Sequence, residues 1–153
     1  MRIIEWAQFY RSRGLSVVPV PRGEKRPAID WAKYQWRHAT DEEMAVWWPD
    51  GTTAGIAVIT GGISGVTVLD AVTEAAVAAL RETRIVLPTA PRVRTARGWH
   101  FYLPYDPAFR AAPNGLTQFG VEGVDVLNYG RLAVLPPSCH ASGVLYAWEV
   151  PLA

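Results

Sequence analysis

The chain of 153 residues is half apolar and 19% charged, with a formal net charge of +1; this fits one globular domain over 1–153, excludes a disordered tail, and leaves any basic surface to local clustering. Its one cysteine, Cys139, rules out an internal disulfide and a Cys-rich zinc site and suits a reducing, cytoplasmic setting. The opening MRIIEWAQFYRSRG carries charges in every turn, unlike a secretory signal, and no uncharged apolar run is long enough to span a membrane.

Ile3, Trp6, Ala7 and Tyr10 recur at helical spacing, and Gly14 predicts where that first helix stops. LSVVPV (15–20) reads as a short buried strand ended by Pro21 and Gly23. The basic stretch from Gly23 to Trp36, broken by Pro27, predicts a surface loop. Thr40 and Glu43 have capping-box spacing ahead of Met44, Val46, Trp47 and Trp48, and Pro49 closes that helix. AGIAVITG (54–61) and GVTVLD (65–70) predict two strands joined by a glycine-rich turn. Thr73 then caps an alanine-rich helix with Ala76, Val77 and Leu80 on its inner face. Beyond Pro88 the pattern turns to strands: RVRTA, WHFYL, VDVLN, LAVLPP and a last one at LYAW. Helices gather in the first half and strands in the second, an α+β arrangement. Most of the seven tryptophans are expected in the core, where large aromatics bury the most surface.

Several of these segments, taken in order, resemble one family. GEKRP puts Lys25 in a lysine-proline position, and ATDEEMAVWW is similar to a tryptophan-bearing helix. ITGGISGVTVLD resembles paired strands ending on a first catalytic acid, and RTARGWHFY a motif centred on a histidine. GVDVLNYGRLAVLPPSCHASGVLYAW resembles a third acidic motif followed by a proline-proline-serine turn. The family is the primase-polymerase domain of the archaeo-eukaryotic primase superfamily, which opens plasmid and phage replication proteins.

The resemblance implies a primase-type fold, with mixed or antiparallel sheets, flanking helices and an RRM-like catalytic core. It implies a DNA-directed nucleotidyltransferase that makes primers and extends DNA by a two-metal mechanism with Mg2+ or Mn2+. The expected partners are a single-stranded DNA template, nucleoside triphosphates and a helicase module of the same, longer replication protein. Joining a 3′-hydroxyl to an α-phosphate requires hard oxygen ligands that converge on the metals. By resemblance Asp70, ending GVTVLD, is the first metal ligand and Asp125, inside GVDVLN, shares its metal. Local pattern alone favours a solvated strand-end or pre-helix aspartate at Asp70, a preference that the resemblance reverses, and places Asp125 on the face opposite Val124 and Val126. His100 is implied to hydrogen-bond the triphosphate, with Arg94, Arg97 and Gly98 beside it forming an anion site. Lys25 and Arg131 either touch triphosphate or template or are solvated surface charges. The Pro136-Pro137-Ser138 turn and His140 are assigned shape rather than chemistry.

The sequence departs from the family pattern at two places. Gly98 stands where the resemblance expects a serine, and Val72 where it expects a second acid. Valine binds no metal, and Glu74, the nearest acid, begins the next helix. Three readings follow: an active nucleotidyltransferase using Asp70, Asp125 and His100; a nucleotide- or DNA-binding module whose chemistry is lost at Val72; or an interaction domain whose exposed tryptophans meet a helicase.

Overall fold

The computed structural model describes residues 1–153, as three α-helices and eight β-strands with two short 3-10 turns. Helix α1 (Ile3–Ser12) follows the predicted stripe, with Ala7 and Tyr10 buried, and the chain turns away at Gly14 with φ +86. Helix α2 (Asp41–Trp47) begins with the expected reciprocal cap. The Thr40 hydroxyl accepts from the Glu43 backbone at 3.1 Å, and the Glu43 carboxylate accepts from the Thr40 N–H at 3.0 Å. Thr73 caps α3 (Glu74–Thr83), which buries Ala76, Val77 and Leu80.

The strands form two sheets, and every strand pairing is antiparallel. The smaller has the order β1 (Val17–Val20), β2 (Gly55–Ile59), β7 (Leu132–Leu135). The larger has the order β6 (Val124–Leu127), β3 (Val66–Ala71), β5 (Trp99–Pro104), β4 (Arg92–Arg94), β8 (Ala147–Val150). The domain is thus α+β, with antiparallel sheets and few helices.

Alternation along the larger sheet feeds two cores. One face sends Val68, Val93 and Tyr102 into a cluster of 21 buried residues shared with the smaller sheet, α1 and α2. The other sends Leu69, Ala71, Phe101, Val124 and Val126 into a cluster of 12 beneath α3. Side chains of successive strand residues leave opposite faces, so one sheet can serve both.

Two expectations need adjustment. β2 and β3 are not paired strands: they belong to different sheets, touching only at a Gly61–Val66 bridge. Gly61 and Gly65, at φ +108 and +67, redirect the chain between them. The last strand starts at Ala147 rather than at Leu145, which instead bridges to Cys139. Of the tryptophans only Trp36 is largely exposed, at 81%. Trp48 is buried and the other five are half-buried against the two cores, as expected for most of them. No helix is long and apolar enough to cross a membrane.

Candidate functional site

On the larger sheet, register does most of the work of assembly. Asp70 on β3 lies directly opposite Asp125 on β6 and directly opposite His100 on β5. Directly opposed residues have Cβ atoms about 5 Å apart and share a face, so one row across three strands carries acid, acid and imidazole. Val124 and Val126 turn the other way into the α3 core, which leaves Asp125 facing out. Asp125 Oδ1 accepts a hydrogen bond from the Asn114 N–H at 2.8 Å. His100 Nε2 stands 3.6 Å from Asp70 Oδ1, too far for a hydrogen bond. The ring is 7% exposed and its Nδ1 is buried with no partner. A buried side-chain nitrogen without a partner is uncommon in a folded protein.

This row floors a cleft of about 430 Å³ lined also by Lys25, Val72, Thr95, Ala96, Arg97, Leu127, Leu132, Val134, His140 and Tyr146. Leu132 and Val134 come from the smaller sheet, so the cleft opens where the two sheets part. Lys25 arrives on the loop that bridges to the 139–140 turn through Gly23 and His140. Lys25 and Arg97 are both exposed, giving the cleft a cationic side facing the two acids.

Two further residues enter the site that sequence reasoning assigned elsewhere. Tyr146 lies between two imidazoles, its ring centre 6.2 Å from that of His100 and 6.2 Å from that of His140. Burial first, and then the Asp70 charge, push its hydroxyl above the ordinary tyrosine range, so it stays neutral. His140 was given a shape role, yet it lines the cleft. Its Nδ1 accepts the Ser142 N–H at 3.0 Å and lies 2.8 Å from the Ser142 hydroxyl. In the neutral ring that leaves the proton on Nε2, which makes His140 a donor. The signal was available in PPSCHASGVLYAW: a tight turn followed by a strand brings residues six apart in sequence back together.

Two cations expected at the anion site are not in the cleft. Arg94 pairs in register with Trp99, not with His100, so alternation turns it to the other face, where its guanidinium covers the Trp99 ring at 4.2 Å. Arg131 precedes Leu132, which does line the cleft, and is exposed outside it. Glu74 opens α3 and is likewise outside the cleft lining.

Val72 does line the cleft and is 42% exposed, at the position where the resemblance leads us to expect an acid. Gly98 is required by its surroundings: a Cβ there would fall 1.9 Å from the Ala71 carbonyl oxygen and 3.0 Å from the Val72 Cα. No serine fits that backbone. No group of three or more His, Cys, Asp or Glu side chains is arranged to hold a metal ion. Asp70 and Asp125 nonetheless suit a magnesium-type cation, which typically takes one or two protein carboxylates and completes its shell with water and substrate phosphates.

Comparison with known proteins gives a family match. The sequence model of the N-terminal domain of bifunctional DNA primase/polymerases matches residues 7–153. No curated protein matches the chain. A match over nearly the whole length places the chain in that family.

Proposed function

We propose that this bifunctional DNA primase/polymerase domain transfers nucleotides from nucleoside triphosphates onto a primer, directed by a single-stranded DNA template, in the cleft floored by Asp70 and Asp125. The observation that carries the reading is the register itself, which sets Asp70 between Asp125 and His100 on one face. The family's activity is nucleotidyl transfer, and divalent metals are typical of it. When bound by Asp70 and Asp125, the Mg2+ or Mn2+ ions of a two-metal mechanism would acidify the 3′-hydroxyl and neutralise the departing pyrophosphate.

The remaining roles fall to side chains already in the cleft. His100 lines the cleft with Nε2 3.6 Å from Asp70, which puts its imidazole beside the triphosphate's place. Arg97 supplies a forked cation and Lys25 a point charge for the triphosphate tail. His140 adds an Nε2–H donor from the opposite wall, and neutral Tyr146 spaces the two imidazoles. Plasmid or phage replication is the setting in which such a domain would open a longer protein carrying a helicase module. The overall fold would then be the archaeo-eukaryotic primase type with an RRM-like core.

A second reading is supported by one residue. Val72 presents two methyl groups to the cleft where a third carboxylate would strengthen cation binding. On that reading the chain binds nucleotide and DNA but transfers slowly or not at all. Manganese-dependent incorporation of a labelled deoxynucleotide onto a primed template separates the two. The expected outcome is incorporation by the parent chain and a loss of about two orders of magnitude or more in Asp125→Asn, since the paired acid holds the cation. Nucleotide binding without incorporation selects the second reading, and incorporation unchanged in Asp125→Asn rejects the site.

A further inference from the structure

Beyond the cleft, the turn joining β6 to β7 carries a feature that neither the core nor the cleft explains. Tyr129 adopts φ +51, a left-handed conformation that bulky side chains rarely take and that glycine or asparagine adopts more readily. Its ring is 61% exposed, so burial does not repay that conformation. The ring meets Tyr105 edge-to-face, with centroids 5.6 Å apart and planes at 87°.

The surroundings fix both rings. Asn128, fully buried, donates from Nδ2 to the carbonyls of Asp106 at 2.9 Å and Phe109 at 2.8 Å. The Thr67 hydroxyl donates to Asn128 Oδ1 at 3.2 Å and accepts the Asp106 N–H at 3.1 Å. One buried amide thus ties the neighbour of Tyr129 to the neighbour of Tyr105. Two glycines make room behind the rings. A Cβ at Gly61 would stand 3.0 Å from the Tyr129 nitrogen, and one at Gly62 would stand 3.5 Å from the Tyr105 ring. The Gly130 N–H bonds the Thr60 carbonyl at 3.3 Å, and the Thr60 N–H bonds the Arg131 carbonyl at 2.8 Å, strapping the turn from its other side.

The place of this pair gives it meaning. Leu127 and Leu132, on either side of the turn, both line the cleft. Tyr129 lies four residues beyond Asp125, about 13 Å along an extended chain. Arg131 is exposed beside it, and the Gln35 side chain that abuts Gly130 is followed by Trp36, 81% exposed. Asp106, the acid nearest in sequence, has its Oδ1 engaged by the Ala108 N–H at 2.9 Å.

We propose that Tyr129 and Tyr105 form a stacking platform for the bases of single-stranded nucleic acid at the mouth of the cleft. An exposed Tyr129 ring held against the half-buried Tyr105, with Arg131 exposed two residues on and the cleft-lining Leu127 and Leu132 flanking the turn, matches what such strands need: π-faces for bases and positive charge for phosphates. The proposal rests on the reading of the cleft only for the direction the strand takes.

The test uses the whole chain and a labelled oligodeoxythymidylate, with affinity read by fluorescence anisotropy. Tyr129→Gly removes the ring and relieves the left-handed backbone, so it should melt no lower than the parent. Its oligonucleotide affinity should fall by about 5- to 150-fold, the range for losing one base–aromatic stack. Tyr129→Trp should restore it, and the affinity for a nucleoside triphosphate should be unchanged in both. Unchanged oligonucleotide affinity in Tyr129→Gly overturns the platform, as does failure of Tyr129→Trp to restore it. An equal loss of nucleotide and oligonucleotide affinity also overturns it, because the ring would then act through the shape of the cleft. A change in sedimentation with oligonucleotide binding intact would assign the surface to a protein partner instead. A parent that binds oligonucleotide but no nucleoside triphosphate sinks the reading of the cleft and leaves the platform standing.

Discussion

Replacing Val72 by aspartate tests whether one missing carboxylate limits the site. Val72 is 42% exposed and lines the cleft with Asp70, so the substitution removes a partly buried side chain. Full burial of valine is worth about 1.5–3 kcal/mol, and partial burial here makes the loss about 1 kcal/mol. The new acid stands two residues from Asp70 on an extended chain, about 6.6 Å away. At that distance two carboxylates repel by about 0.6 kcal/mol in water and about 2.5 kcal/mol at a surface-like dielectric. Without metal, Val72→Asp should therefore be less stable by about 2–3 kcal/mol. Manganese narrows that gap: if a third ligand tightens the cation tenfold, the variant gains about 1.4 kcal/mol more than the parent at saturation. For a chain of this size that is an extra rise in melting temperature of about 3–5 °C. Melting curves with and without manganese read the effect, and primer extension should rise alongside. Equal manganese shifts in the two proteins, or a parent that extends primers as well as Val72→Asp does, would refute the assignment and force Glu74 or another acid into the role.

Two further outcomes follow from local geometry. Gly98→Ala should destabilise the domain by about 3 kcal/mol, read by chemical denaturation, because its methyl would meet backbone rather than a movable side chain; parent-like stability would mean that the end of β3 yields easily. Glu43 is held well below the ordinary carboxylate range, chiefly by Arg37, whose Nη1 and Nη2 donate at 2.7 and 3.1 Å, then by Tyr34 and the Thr40 N–H. A depressed folded-state pKa adds stability above the unfolded value, near 4.3, and loses it as pH falls below that. Glu43→Gln should thus be about 1 kcal/mol less stable than the parent at neutral pH, with the difference shrinking as pH falls below about 4.3 and disappearing only once the much lower folded-state pKa is passed; a gap that stays constant from neutral pH to about pH 2 would show that packing, not charge, is at stake.

Much of the fold could be read from local rules because the local rules agree with it. Spacing found α1, the capping box found α2, and Thr73 found α3. What sequence could not supply was which strands meet. β2 and β3 are neighbours along the chain and belong to different sheets, while Asp70 and Asp125, far apart in sequence, are direct partners. The resemblance brought Asp70, Asp125 and His100 together; the strand period then decided which cations could join them. Arg94 and Arg97 are three apart, yet only Arg97 reaches the cleft, because Arg94 still obeys the alternation of β4 while Arg97 has left it. His140 and Tyr146 escaped notice because the turn in PPSCHASGVLYAW was read for its shape alone and not for the two rings that it brings together in the cleft.

The two departures from the family pattern are in contact, and that bears on how either should be interpreted. Gly98 closes on the Ala71 carbonyl and the Val72 Cα, so the end of β3 and the turn before β5 share one tight backbone approach. A serine at 98 would push the chain at 71–72 aside, and with it the direction in which residue 72 points into the cleft. Restoring the serine alone would therefore disturb β3 without adding a metal ligand. Restoring an acid at 72 alone leaves the glycine packing intact and adds a carboxylate on the cleft side. The fold depends on the glycine, through that close backbone approach, and not on the valine, since Leu69, Ala71 and Phe101 supply the contacts to the core beneath α3. Position 72 lies on the face that carries Asp70 and His100, and the same face sends Val68, Val93 and Tyr102 into the larger core, so the chemistry borders packing that a substitution at 72 must leave intact.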